Sequence, residues 1–424
     1  MIGLVDGNNF YVSCERVFNR RLLGKPVAVL SNNDGCCVAM SPEFKALGIP
    51  RGTPYFQLKH REKTDGLVFL SSNYELYGDL SRRVQEVLRS ECVEVEQYSI
   101  DEAFVHPPTW AEKDLKSFGV RLRRKVYRWV GIPCGVGFAP TKTLAKIANH
   151  IGKKRPDGVF ILPDDPAEIL AGLPVGEVWG VGRRLVARLR AEQIFTALDL
   201  RDAPDDRLRA VGGVVLLRTA TELRGVPCNQ ERDYEADPDS VSCSRCFGEP
   251  VTTREGIVES IAEFTAQAAV KLRRHRLLAA GCNVYVQVAT PGMFETWNDI
   301  DSSFVGRTVV FPDPTDATNE MLEAVTPVAE SLFVEGRRYR KSGVVFFGLE
   351  KAGAARQLDL FTQTKPRESS RLYEAIDSLN KRFGKGSLVS ASQGLKTSAP
   401  AWKMKREHLS RRASTNWREL LTVR

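Results

Sequence analysis

The chain has 424 residues, 42% hydrophobic and 27% charged, with 61 Lys+Arg against 52 Asp+Glu for a formal charge of +9. At roughly 150 residues per domain that is about three domains with real cores, which excludes a disordered tail or a fibre. No apolar run nears the ~20 residues of a membrane span, no basic n-region opens the chain, and the nine cysteines follow no repeated spacing, so the expected compartment is the cytoplasm, without anchor or disulfide framework.

Apolar runs and alternation predict a strand at 2–5 running into Asp6, a helix at 10–18, strands at 26–30 and 37–40, a helix at 42–47 closed by Gly48, and a strand at 68–70. Leu76, Leu80, Val84 and Leu88 recur at helical spacing within 74–88. A strand at 93–97, a turn at 99–102 and a strand at 103–105 follow. Next come a basic amphipathic helix at 115–130, a strand at 136–138 and a helix at 141–151. Such an alternation fits an α+β layer. Residues 166–223 read as helices, with Gly180-Val181-Gly182 between two of them. A polar, acidic linker covers 230–239. Residues 240–351 then read strand, helix, strand, strand, helix, strand. Beyond 351 the composition turns polar and basic with little periodicity, and the last 24 residues hold seven Lys/Arg and two Glu around Trp402 and Trp417. The basic surplus suits an anionic partner.

The first chemical signal is Asp6 at a strand end, together with Asp101 and Glu102 in a hairpin turn. Adjacent strand residues point to opposite faces, so Asp101 and Glu102 reach one centre only if the turn bends the backbone. Three carboxylates at strand ends repel one another unless cations lie between them. Hard oxygen donors select Mg²⁺ or Mn²⁺, and a pair of such ions serves phosphoryl transfer. The spacing alone equally fits ordinary turn and strand-end acids.

Three stretches in a fixed order break that tie. They are Asp6-Gly7-Asn8-Asn9-Phe10-Tyr11 with its continuation to Glu15, Tyr98-Ser99-Ile100-Asp101-Glu102-Ala103-Phe104, and Gly137-Phe138-Ala139-Pro140-Thr141-Lys142 with its continuation to Lys146. The chain resembles the Y-family translesion DNA polymerases, and within them the bacterial UmuC branch. The likeness extends to Ser31-Asn32-Asn33-Asp34-Gly35-Cys36 and Ser71-Ser72-Asn73-Tyr74-Glu75-Leu76-Tyr77.

The resemblance implies an α+β multidomain, right-hand polymerase. A ferredoxin-like palm with small fingers would occupy 1–165, the fingers about 20–75. A helical helix-hairpin-helix thumb would occupy 166–229, a linker 230–239, a βαββαβ-like little finger 240–351 and an extended basic C-terminal tail 352–424. Asp6, Asp101 and Glu102 would be catalytic, Asp6 and Asp101 bridging two Mg²⁺ (or Mn²⁺), with the Gly7 carbonyl on the second ion and Glu102 near the primer terminus. Tyr11 would be the steric gate that excludes a ribose 2′-hydroxyl. Lys45 and Lys153 would meet the dNTP phosphates, although Pro42 and Lys45 stand where the family has a Tyr and an Arg, and Lys45 lacks the planar fork of Arg. Gly180 and Gly182, with Arg183 and Arg184, would bind DNA phosphates. So would Arg274 and Arg338, within basic clusters at 271–276 and 337–341. Taken alone, Lys45 and each of these clusters fit a solvated surface as well.

Gln357, Leu358, Asp359, Leu360 and Phe361 resemble a sliding-clamp-binding pentapeptide, whose apolar pair would anchor in a pocket. The implied function is error-prone extension of a primer 3′-hydroxyl with dNTPs opposite damaged template in the SOS response. Its partners would be primer-template DNA, a UmuD′-type dimer, RecA and the β sliding clamp, in the cytoplasm and at the nucleoid when active. Two alternatives stay open: a catalytically idle scaffold that binds DNA and clamp, and a nucleotidyl cyclase using similar acids. The helix-hairpin-helix, basic tail and clamp-like peptide argue against the cyclase.

Overall fold

A computed structural model of the chain describes residues 1–229, 237–289, 304–353, 369–384, 386–394 and 400–421. The clamp-like peptide at 357–361 and most of the expected linker lie outside them. The chain forms two compact units, Met1–Tyr234 with Glu407–Arg424, and Glu235–Arg406.

The first unit begins with β1 (Ile2–Gly7), α1 (Phe10–Phe18), β2 (Val27–Leu30), β3 (Cys37–Met40), α2 (Pro42–Lys45), α3 (Tyr55–Leu58), α4 (Arg61–Thr64), β4 (Val68–Ser71) and α5 (Tyr74–Arg89). It continues with β5 (Glu94–Gln97), β6 (Glu102–His106), α6 (Leu115–Val130), β7 (Cys134–Ala139), α7 (Lys142–Gly152) and β8 (Val159–Ile161). The helices α8 (Ala167–Ala171), α9 (Arg183–Ala191), α10 (Ala197–Asp202) and α11 (Asp205–Leu223) complete it. The main sheet runs β5-β6-β1-β7-β8, which is the ferredoxin-like order with β8 added parallel to β7. Alternation along β1 divides two cores: Val5 packs with Leu122 and Val126 of α6, while Leu4 packs with Ala145 and Ala148 of α7. Strands β1, β6 and β7 outrun their expected lengths, β1 reaching Gly7, while β5 begins one residue later than expected.

Two glycines set how close α7 lies. A Cβ at Gly137 would overlap the Asn149 backbone, and one at Gly135 would come 2.7 Å from Cγ of Lys153. Asn149 Nδ2 then donates to the Leu4 carbonyl at 3.1 Å, pinning helix to strand. The N-terminus of α7 is held from α11. The Glu222 carboxylate accepts from the Thr143 N–H at 2.9 Å and the Thr143 hydroxyl at 2.7 Å, a negative charge at a helix start. A smaller sheet, β3-β2-β4, carries its own core around Phe44 and Phe69.

The second unit contains β9 (Val241–Val251), α12 (Arg254–Arg274), β10 (Leu277–Val288), β11 (Phe304–Thr315), α13 (Thr318–Leu332), β12 (Tyr339–Lys351) and α14 (Ser369–Phe383), with strand order β11-β10-β12-β9. The strand–helix pattern follows the expectation. Helix α14 departs from it, since no helix is expected in that stretch. It is fastened by Arg273, which donates from Nε to Asp377 at 2.8 Å, and by Tyr373, whose hydroxyl accepts from the Asn319 N–H at 2.8 Å.

Candidate active site

Asp6 and Glu102 face one another in register across β1 and β6. The Gly7 N–H donates to the Asp101 carbonyl at 2.8 Å. The turn owes its shape to Ser99, whose Oγ accepts from the N–H groups of Asp101 and Glu102 and donates to Asp101 Oδ1 at 2.7 Å. Gly7 has no room for a side chain, since a Cβ would come 2.9 Å from the Phe10 ring.

Helix α7 brings two cations to the acids. Lys146 and Lys153, seven residues apart, lie on one helix face. Lys153 Nζ pairs with Asp6 at 2.5 Å and Lys146 Nζ with Glu102 at 2.8 Å. Lys146 also sits 4.3 Å from the Tyr98 ring centroid and 5.2 Å from that of Trp179, a geometry that favours a cation. The four charged residues line a groove of about 540 Å³. Burial raises the Asp6 pKa to about 6; Lys153 opposes the shift, and Glu102 and Asp101 add to it.

Asp101, in the turn before β6, lines a small cavity with Val5, Gly7 and Phe10, and its charge still acts on Asp6. The backbone of all three acids therefore meets at one strand end, while each carboxylate keeps its own partner. Among the described residues no three Asp, Glu, His or Cys side chains gather closely enough to hold one ion. Like charges avoid one another, and the nearby ammonium and hydroxyl groups draw them apart.

Around α1, Asn9 adopts φ 46° before the helix, and its side-chain oxygen accepts from Lys45. The Tyr11 ring stacks on Tyr77 at 4.4 Å between centroids, 16° from parallel. Burial, then Lys153 and Arg51, lower the Lys45 pKa, so three cations act on this corner of the unit. Gly180, at φ 89°, and Gly182, which caps α9, precede Arg183 and Arg184, and all four are exposed. In the second unit Arg274 and Arg338 are exposed. Their clusters are less uniform than their charge implies, since Arg273 is tied to Asp377 and Lys271 donates to the Ser242 carbonyl.

Sequence reading missed Lys146, Arg51 and Glu15. Lys146 and Glu15 end two of the stretches that carry the family likeness, yet neither had a role assigned. Arg51 stands in an irregular loop, and Glu15 is a charged residue on an otherwise ordinary helix.

The impB/mucB/samB family description matches residues 5–150, and that of the same family's C-terminal domain matches 238–360. A domain of unknown function, DUF4113, matches 370–423. The chain is 41% identical over 431 residues to Protein UmuC of Salmonella typhimurium (strain LT2), and 38% identical over 440 residues to Protein ImpB of Salmonella typhimurium, covering 100% of both chains in each case. Among solved structures, a Y-family DNA polymerase chimera, Dbh-Dpo4(243-245)-Dbh, matches with a TM-score of 0.65 and 20% identity over 83% of this chain and 100% of the other, a likeness of fold. The chain belongs to the UmuC-type impB/mucB/samB family of Y-family DNA polymerases.

Proposed function

We propose that the β1–β6 edge is the nucleotidyl-transfer centre of an error-prone translesion DNA polymerase, with Asp6, Asp101 and Glu102 as its catalytic acids. The observation that carries this is the register of Asp6 against Glu102, with Asp101 adjacent, at the end of the sheet's central strand. The residues fit divalent cations. The donors are hard oxygens, and the repulsion among the acids, which contributes to the raised Asp6 pKa, is what such an ion relieves. Asp6, Asp101, Glu102 and the Gly7 carbonyl would hold Mg²⁺ or Mn²⁺, which supplies charge stabilisation to the attacking and leaving oxygens.

The rest of the chemistry belongs to side chains of the chain itself. Lys153, Lys45 and Arg51 bind triphosphate oxygens by charge. Tyr11, backed by Tyr77, lies under the sugar and rejects a 2′-hydroxyl. The primer 3′-oxygen attacks the α-phosphate and pyrophosphate leaves, with positioning and charge stabilisation doing most of the work. Arg183, Arg184, Gly180 and Gly182 hold the duplex by its phosphates, as do Arg274 and Arg338 in the second unit. A UmuD′-type dimer, RecA and the β clamp, the last through 357–361, would recruit the enzyme in the SOS response.

Primer extension by the purified protein with UmuD′, RecA–ATP and clamp tests this reading. Asp101→Ala abolishes extension and leaves DNA binding intact; equal behaviour of variant and parent overturns it. The separate engagement of each carboxylate favours the second reading, an idle DNA- and clamp-binding scaffold, which would show as DNA binding without extension in parent and variant alike.

A further inference from the structure

Residues 407–421, the described end of the DUF4113 match, belong to the first unit. Leu409 forms a parallel bridge with Ser71 at the end of β4. The Ser71 N–H donates to the His408 carbonyl at 3.0 Å, and the His408 N–H donates to Ser71 Oγ at 2.9 Å. The Glu407 N–H reaches Asp34 Oδ2 at 2.7 Å, and the His408 ring meets Tyr55 edge-on at 5.2 Å. Asn73, which caps α5 by accepting from the Leu76 N–H, also donates to Ser410 Oγ at 2.9 Å. Arg412 closes the segment on itself through Glu419.

Beneath this segment lies a carboxylate. Glu15 is 3% exposed on α1, one helical turn from Tyr11. Its Oε1 accepts from the Tyr77 hydroxyl at 2.7 Å and from Ser410 Oγ at 2.9 Å. Burial raises the Glu15 pKa, and these two hydrogen bonds oppose the rise. Tyr77 is itself fully buried and carries the stacked Tyr11 ring. A chain of contacts thus runs from Ser410 through Glu15 and Tyr77 to Tyr11.

We infer that the strap 407–411 positions the nucleotide site: Ser410 fixes Glu15 and Tyr77, and they fix the ring of Tyr11. The inference rests on the reading of Tyr11 as the residue under the sugar. A buried carboxylate that loses one of two donors seeks another arrangement, because an unsatisfied buried charge is costly. Tyr77 is its remaining partner, so the disturbance passes to the stacked pair. Ser410, Glu15 and Tyr77 are positioning residues in this account, since the contact with the sugar is made by Tyr11.

The test uses the full-length chain, with 3-fluorotyrosine at position 11, in extension reactions with matched dNTP and rNTP. Ser410→Ala lowers the dNTP-over-rNTP ratio of kcat/KM roughly three- to tenfold, the scale of one ordinary net hydrogen bond, while dNTP turnover stays near that of the parent. Ser410→Thr keeps the hydroxyl and restores the ratio. Tyr11→Ala serves as the reference. If it loses discrimination while Ser410→Ala keeps it, the strap inference is overturned and the gate reading stands. If Tyr11→Ala keeps discrimination, the gate reading fails and the fluorine signal decides: a shifted or broadened line in Ser410→Ala supports the strap, and an unchanged line overturns it.

Discussion

The main sheet of the first unit and the sheet of the second share the succession strand, helix, strand, strand, helix, strand, yet they do different things with it. In the first unit the opening strand, β1, is central, flanked by β6 and β7; in the second the opening strand, β9, is an edge. A central strand has neighbours on both sides to set beside its last residue. At Asp6 these are Glu102 and Gly135, the first an acid and the second a gap through which Lys153 arrives. The end of β9 has one neighbouring strand and gathers no such cluster. Strand order, which periodicity does not encode, decides where chemistry can collect.

The largest effect that would break this contrast is at the acid itself. Asp6→Ala is expected to reduce primer extension by roughly 10³-fold, the upper range for removing a charge-stabilising group, with folding preserved. Activity within a few fold of the parent would remove the meaning given to the central strand. A second effect concerns the glycines. Gly137→Ala drives a methyl into the Asn149 backbone, whereas Gly343→Ala in β12 meets the side chains of Ser244 and Tyr285. Backbone cannot rotate away, so Gly137→Ala should cost about 3 kcal/mol or more and Gly343→Ala about 1 to 2, read from urea denaturation. Equal losses would show that the helix–sheet contact at Gly137 and the cross-strand contact at Gly343 yield alike.

Smaller changes sharpen the picture. Glu222→Gln should cost about 1–2 kcal/mol at neutral pH. Hydrogen bonds from Thr143, Asn229 and Cys228 outweigh the effect of burial and hold the Glu222 pKa below its ordinary value. Its contribution is therefore present above the unfolded pKa of about 4.3 and fades as pH falls through the lower folded value. The gap between variant and parent should close in acid, and a gap independent of pH would refute the assignment. The smallest effects belong to exposed arginines. Arg274→Ala or Arg338→Ala should weaken DNA binding uniformly across sequences and lower the salt slope by about one. Arg273→Ala should instead lower the stability of the second unit, because its guanidinium fastens α14.

Much of this was legible beforehand. Helix α1 and strand β3 have the expected bounds, and the acids stand at the strand end and turn where short-range patterns put them. What escaped was set by contacts distant in sequence. Lys146 gains meaning only when α7 is laid on β7, which depends on Gly135 and Gly137 being small. Helix α14 was missed although Leu372, Ile376, Leu379 and Phe383 recur in it at helical spacing; its described hold is through Arg273 and Asn319. Charge counts do not reveal which arginines of the basic clusters are already engaged, as Arg273 is with Asp377. The terminal segment was read through its charge, while its attachment uses backbone groups, Ser410 and His408, none of which stands out in a composition.

Because His408 and Leu409 bond the backbone and side chain of Ser71, the end of β4 is not an open template. A foreign protein seeking either Ser71 or the residues 407–411 must first displace an intramolecular rival that travels with the chain. Recruitment through this end would then be a competition, and the affinity measured for an isolated terminal peptide would exceed that for the intact polymerase.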